Sequence, residues 1–254
     1  MLLASETDII RSLIYADLKQ RYNGSILGWV WVVLKPLLTF VVLNFVFSRV
    51  FAHADPLYGI KLLTALILWN FFSEASTVGL QSLVTHAHII TKIRVPHWTV
   101  VASSIGSSCV NFLPYLVILY VFCIFYGIVL GPLAVLRVLI ASGAVLAFAL
   151  GMGFLLSPLF VKFRDINQVW EVVITVGFFM TPIIYPFDLI PEKFKSLVVL
   201  NPMAYIVEYA RCAVLGRQFV YGDNLLISLA IVGGIFLASA FLFRLTSSRA
   251  IERL

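Results

Sequence analysis

The stretch Asp17–Leu38, DLKQRYNGSILGWVWVVLKPLL, decides the fold, because within it a charged, helix-compatible lead-in passes into sequence apolar enough for a bilayer. Lys19 and Arg21 stand just before the turn-forming Asn23, Gly24 and Ser25, and Trp29 and Trp31 follow, amphipathic rings that favour the headgroup level. The order reads as cytosol, interface, lipid. Pro36 then falls inside an apolar run that continues to Phe51, so a helix there must kink or lean on neighbours, because proline supplies no N–H. Lys35 beside it puts a charge well inside the run.

Upstream, Ile9, Ile10, Leu13, Ile14 and Leu18 recur at helical spacing opposite Asp8, Arg11, Ser12, Lys19 and Arg21, which predicts an amphipathic helix over 5–22 lying in the interface plane. Glu6 and Asp8 precede the first basic residue and no small-residue cleavage site follows a short apolar core, so the first span is expected to be retained. Downstream, apolar runs at 29–51, 59–81, 99–126, 133–160, 167–187 and 224–243 are each near or above the roughly 20 residues a crossing requires. The expected architecture is an all-α membrane protein of six transmembrane helices, one domain over residues 1–254. With 61% hydrophobic residues, 12% charged and a mean hydropathy of +1.03, a soluble domain is excluded, since such domains carry about a quarter charged residues.

An even number of crossings puts both termini on one side. With the termini in the cytosol, the inner segments hold ten of the eighteen Lys and Arg, among them Arg11, Lys19, Arg21, Lys92, Arg94, Lys162 and Arg164. The net charge of +6 is dispersed beside apolar runs rather than gathered on a soluble face, which argues against a nucleic-acid partner. Cys109, Cys123 and Cys212 form no CxxC and read as packing residues. His86 and His88 are two apart, a spacing that does not share a helix face, and no metal site is expected there.

Two segments lie between spans and carry their own patterns. Residues 84–97 (VTHAHIITKIRVPH) predict a short cytosolic helix ending before Pro96. Residues 187–223 follow Pro182-Ile-Ile-Tyr-Pro186, whose prolines break the fifth span, and contain an N-cap and N1 proline at Asn201-Pro202 with Met203, Ile206, Val207, Ala210 and Val214 on one face. Glu208, Arg211 and Arg217 keep that helix from crossing, so a re-entrant or surface helical hairpin over the outer end is predicted. At the other end, Lys162–Ile166 makes a tight inner turn and Glu171 follows about one and a half turns into the next helix.

Four stretches resemble one family: Arg21-Tyr22 with Ser25–Gly28, Trp31 and Pro36-Leu37; Phe163–Ile166; Pro182–Pro186; and Asn201-Pro202 through Arg211 to Gly216. In order and spacing they are similar to the type-two permease subunits of ABC exporters for cell-envelope polysaccharide, meaning O-antigen, capsule or teichoic-acid chains. The resemblance implies a homodimer in the bacterial inner membrane, two copies of a separate ABC ATPase at the cytosolic face, a lipid-linked polysaccharide as cargo, and a channel along the dimer axis. The chain itself has no GxxxxGK[ST] phosphate loop, so ATP and Mg belong to the partner and no cofactor is expected here.

Two other classes were weighed. A secondary transporter would place ionisable residues near mid-membrane, where Lys35, Glu74 and Glu171 are the candidates, but no internal repeat is visible. A membrane-embedded sugar or lipid transferase would need converging acid and base groups, and Asp188, Glu192 and Glu208 form no such constellation, so no catalytic residue is assigned. For an exporter, the expected substrate path is aromatic, because sugar rings stack their C–H faces on such rings: Trp29, Trp31, Phe40 and Phe47 on the first span, Phe178, Phe179 and Tyr185 on the fifth. The expected ATPase contact is Ile89, Ile90, Lys92, Ile93 and Arg94 in a helix-in-groove mode. Residues 187–223 are expected to act as an outer gate hinged at Pro186 and Gly216.

Overall fold

The computed structural model describes residues 6–22, 28, 30–51, 55–92, 95–190, 193, 198 and 200–251. Trp29, Ile93, Arg94 and part of the 187–223 segment lie outside the described residues. The helices are α1 (Glu6–Tyr22), α2 (Val30–Phe51), α3 (Tyr58–Thr85), α4 (Ala87–Ile90), α5 (His97–Phe125), α6 (Pro132–Lys162), α7 (Ile166–Met180), a 3₁₀ turn (Phe187–Leu189), α8 (Pro202–Val214) and α9 (Gly222–Ile251), with no strand among the described residues. α2, α3, α5, α6 and α9 are long and apolar enough to cross a bilayer, and the shorter apolar α7 brings the chain to about six spans.

The least apolar span is the one at the centre. The best 18-residue window of α3 has a mean hydropathy of only 1.2 and is 72% buried, whereas those of α2, α5, α6 and α9 lie at 2.1 to 2.5 and are 17–33% buried. Asn70, Ser73, Glu74, Ser76, Thr77, Gln81 and Ser82 on α3 cannot be given to hydrocarbon without cost, so this helix is surrounded by α5, α6 and α2 while the others turn aliphatic faces outward. Glycines permit the closest approach: a Cβ on Gly79 of α3 would stand 2.7 Å from Ile105 Cδ1 and 3.1 Å from the Gly153 Cα of α6.

The N-terminal amphipathic helix forms over nearly its predicted range, but its apolar face is taken up by protein. Leu13 is buried, and Ile14 covers Gly106 of α5, where a Cβ would meet Ile14 Cδ1 at 2.8 Å. The predicted 84–97 helix is corrected to a single turn. Val84 and Thr85 complete α3, α4 spans only Ala87–Ile90, and Val95-Pro96 lead extended into α5 at His97. Ile90 is buried in the core and Ile89 packs beside it, leaving His88, Thr91 and Lys92 exposed at this loop.

The fifth span stops at Met180, short of the Phe187 that its apolar run suggested. Fifteen residues of helix reach about 22 Å, against a hydrocarbon thickness of about 30 Å, so the crossing is finished by irregular chain. Backbone of that kind persists at membrane depth only when protein satisfies it. Here Tyr58 Oη donates to the Ile184 carbonyl at 2.9 Å and Arg211 Nη2 to the Ile183 carbonyl at 2.7 Å.

α8 supplies that arginine from inside the bundle, with ten of its 13 residues buried against α3, α6 and α9. The helix expected in this segment is thus covered by protein over most of its surface. Its caps follow the sequence signals: Asn201 Oδ1 accepts from the Met203 N–H at 3.1 Å, and Asn201 Nδ2 donates to Thr181 Oγ1 at 2.9 Å. At the far end Gly216 adopts φ +64°, and the Gly216 and Arg217 N–H groups return to the Ala213 and Cys212 carbonyls, a Schellman stop that a side chain at 216 would strain.

Candidate functional site

α3 carries polar residues at 70, 73, 74, 77 and 81, a helical three-or-four spacing that puts them on one side. α7 repeats the device with Asn167, Glu171 and Thr175. Where these two stripes face each other and α2 adds Lys35 and Thr39, they line an open cavity of about 540 Å³. The site extends from Asn167 to Thr175, about 12 Å along α7 from the end of the bundle nearest α1 and α4. Tyr115 of α5 and Trp170 of α7 contribute its aromatic surface.

The three ionisable residues that the sequence placed within apolar runs, Lys35, Glu74 and Glu171, meet in this one cavity. Glu74 is held firmly: Arg21 Nη1 of α1 donates to its Oε1 at 2.5 Å and Asn111 Nδ2 of α5 to the same oxygen at 2.8 Å. Gln81 Nε2 donates to Asn167 Oδ1 at 2.8 Å and ties α3 to α7. Trp170 is 6% exposed, and its indole N–H is buried without an acceptor among the described residues.

A second polar tether holds α1. His86 Nε2 faces Asp17 Oδ1 at 2.8 Å, and its Nδ1 lies 3.1 Å from the Ser82 carbonyl. Burial alone would lower the imidazole pKa, but the hydrogen bond and charge of Asp17, with the Ser82 carbonyl, outweigh it and raise His86 above its ordinary value. A raised folded pKa stabilises fully below the unfolded value of about 6.5, and that stabilisation is lost as pH rises through the folded value. The thermal midpoint of the detergent-solubilised protein is therefore expected to fall as pH is raised from 6 to 9, and His86→Gln should flatten that dependence. An unchanged slope in the variant would remove His86 as its source.

The aromatic candidates do not gather. Phe40 is buried with its ring edge-on to Phe122 of α5, Phe47 stacks on Phe51, and Phe178 packs against Trp69, all within the protein. Trp31 and Phe179 are exposed at the surface of this chain, and Tyr185 Oη donates to the Phe179 carbonyl at 3.2 Å. Of the six candidates within the described residues none lines the cavity; Tyr115 and Trp170 supply its aromatic lining there, on positions the sequence reading did not name. The polar stripes of α3 and α7 were the available signal. Among the described residues no group of three or more His, Cys, Asp or Glu stands close enough to hold a metal ion.

Residues 9–215 match the family described as ABC-2 type transporter. The chain is 33% identical to the O-antigen export system permease protein RfbA of Klebsiella pneumoniae over 201 residues, covering 79% of this chain and 77% of that one. It is 30% identical to the protein of the same name from Myxococcus xanthus, over 78% and 77% of the two chains. At 20% identity it also matches the polysialic acid transport protein KpsM of Escherichia coli, over 85% and 84%.

Proposed function

The chain belongs to the ABC-2 type transporter family, and from that we propose that it is the membrane permease subunit of an ATP-driven exporter of cell-envelope polysaccharide in a bacterial inner membrane. The observation that carries this reading is the polar cavity between α2, α3 and α7, which offers hydroxyl, amide and carboxylate groups where hydrocarbon-facing side chains would otherwise stand. The subunit acts as a homodimer with its termini in the cytosol, and the cavity opens toward that side to receive a glycan, lipid-linked at one end.

Two copies of a separate ABC ATPase supply the energy, with ATP and Mg held there. The cytosolic turn at α4 meets that partner through its exposed residues, His88, Thr91 and Lys92, while Ile89 and Ile90 transmit the contact into the core they pack against. At the outer end, the helix α8 closes the route between cycles with Pro186 and Gly216 as hinges, and the rings of Trp31 and Phe179, exposed on the single chain, meet the glycan at the dimer seam.

Deleting the gene should abolish surface polysaccharide, seen as loss of the high-molecular-mass ladder on a stained gel, and plasmid expression should restore it. Lys92→Glu should weaken co-purification of the ATPase severalfold and cut export, with membrane insertion unchanged. A deletion strain with a normal ladder overturns the export reading; normal co-purification in the variant removes α4 from the coupling.

A further inference from the structure

We infer that the cavity selects an uncharged stretch of glycan over a polyanionic one, with Glu171 as a specificity-determining residue. This rests on the export reading above and narrows its substrate class. The lining carries one amine and two carboxylates, Lys35, Glu74 and Glu171. Arg21 reaches Glu74 from α1 and neutralises it, which leaves Lys35 and Glu171 as one charge of each sign in the lining, and the remaining polar lining is hydroxyl or amide. By formal count no cationic surplus is left for an acidic chain, whose successive carboxylates would share the single lining amine of Lys35 with Glu171.

A neutral sugar meets the opposite situation. Its hydroxyls donate to carboxylate oxygens and exchange both donor and acceptor bonds with Asn70 and the Gln81–Asn167 pair, while its C–H faces suit the rings of Tyr115 and Trp170. A volume of about 540 Å³ lies in the range of sites that enclose a small ligand, so a few sugar units of a longer chain occupy it at one time.

The test is binding of two probes, a mannose tetrasaccharide and an α2,8-linked sialic acid tetrasaccharide, to the purified full-length permease in nanodiscs. The mannose probe should bind with a Kd at least about 10-fold below that of the sialic probe. Glu171→Gln should shrink that ratio, and Glu171→Lys, at an exposed position that tolerates the change, should invert it by tightening the sialic probe about 10-fold. Equal affinity of the two probes, a ratio unmoved in both variants, or binding of neither probe would overturn the inference. The export reading is judged separately by the surface ladder of the deletion strain, so a permease that exports yet shows no preference loses only the selectivity.

Discussion

Arg211→Met should lower the thermal-unfolding midpoint of the detergent-solubilised protein by roughly 10 °C, the largest effect expected of any single polar substitution in the chain. The guanidinium is 4% exposed and serves three elements at once. Its Nε donates to the Lys61 carbonyl at the start of α3 at 3.1 Å, its Nη2 to the Ile183 carbonyl of the irregular segment at 2.7 Å, and its Nη1 to Glu208 Oε2 at 3.3 Å. Methionine matches the length of the stem and keeps its packing, but strands the Ile183 carbonyl, removes the tie to the Lys61 carbonyl of α3 and leaves Glu208 without its cation. Breaking a buried charged network of this kind costs about 3–5 kcal/mol. Arg211→Lys should recover only part of the loss, because one ammonium does not reproduce a fork aimed at separate oxygens. A midpoint within 2 °C or so of the parent for Arg211→Met would show that the segment from Thr181 to Pro186 holds its shape by other means.

Gly79→Val is expected to leave little folded protein, read as loss of the monodisperse peak on fluorescence-detected size exclusion. Even a single Cβ at this position would stand 2.7 Å from Ile105 Cδ1 and 3.1 Å from the Gly153 Cα. The first neighbour is the tip of a flexible side chain and yields; the second is helix backbone and does not. Separating α3 from α6 there would open the packing on both sides of the central span, at a cost of about 3 kcal/mol or more. Gly79→Ala combined with Ile105→Val should be better tolerated than Gly79→Ala alone, since shortening the isoleucine removes the closer contact. Wild-type yield and stability for Gly79→Val would mean that the helix crossing has slack the distances deny.

Much of this protein was legible because bilayer constraints act locally. A run of about 20 apolar residues specifies a span whatever its neighbours are, and the span positions followed from it to within a few residues at most ends. Helix punctuation is equally local: Asn201-Pro202 starts α8 and Gly216 stops it, as the cap chemistry of those residues requires. The exceptions are instructive. The fifth apolar run extends past its helix, which stops at Met180 ahead of Pro182 as the two prolines required, and apolar content by itself does not distinguish that helix from the irregular chain that follows. Residues 84–97 had helical composition, but among the described residues Val84 and Thr85 belong to α3, Ala87–Ile90 make a single turn, and His97 begins α5.

The sequence alone determined the membrane class, the number of crossings, the polar stripes of α3 and α7, and the exclusion of an ATP-binding loop from this chain. Tertiary structure decided which helix lies at the centre, that Arg211 ties α8 to α3 and to the irregular segment after α7, that Phe40 packs inward, and that Lys35, Glu74 and Glu171 share one cavity. The physical reason is that lipid and protein interior are both apolar, so a helix's hydropathy says that a face avoids water without saying which neighbour it meets. Partners such as Arg21 and Glu74, or Arg211 and the Lys61 carbonyl, stand 53 and 150 positions apart, and only the packed helices bring them within hydrogen-bonding distance.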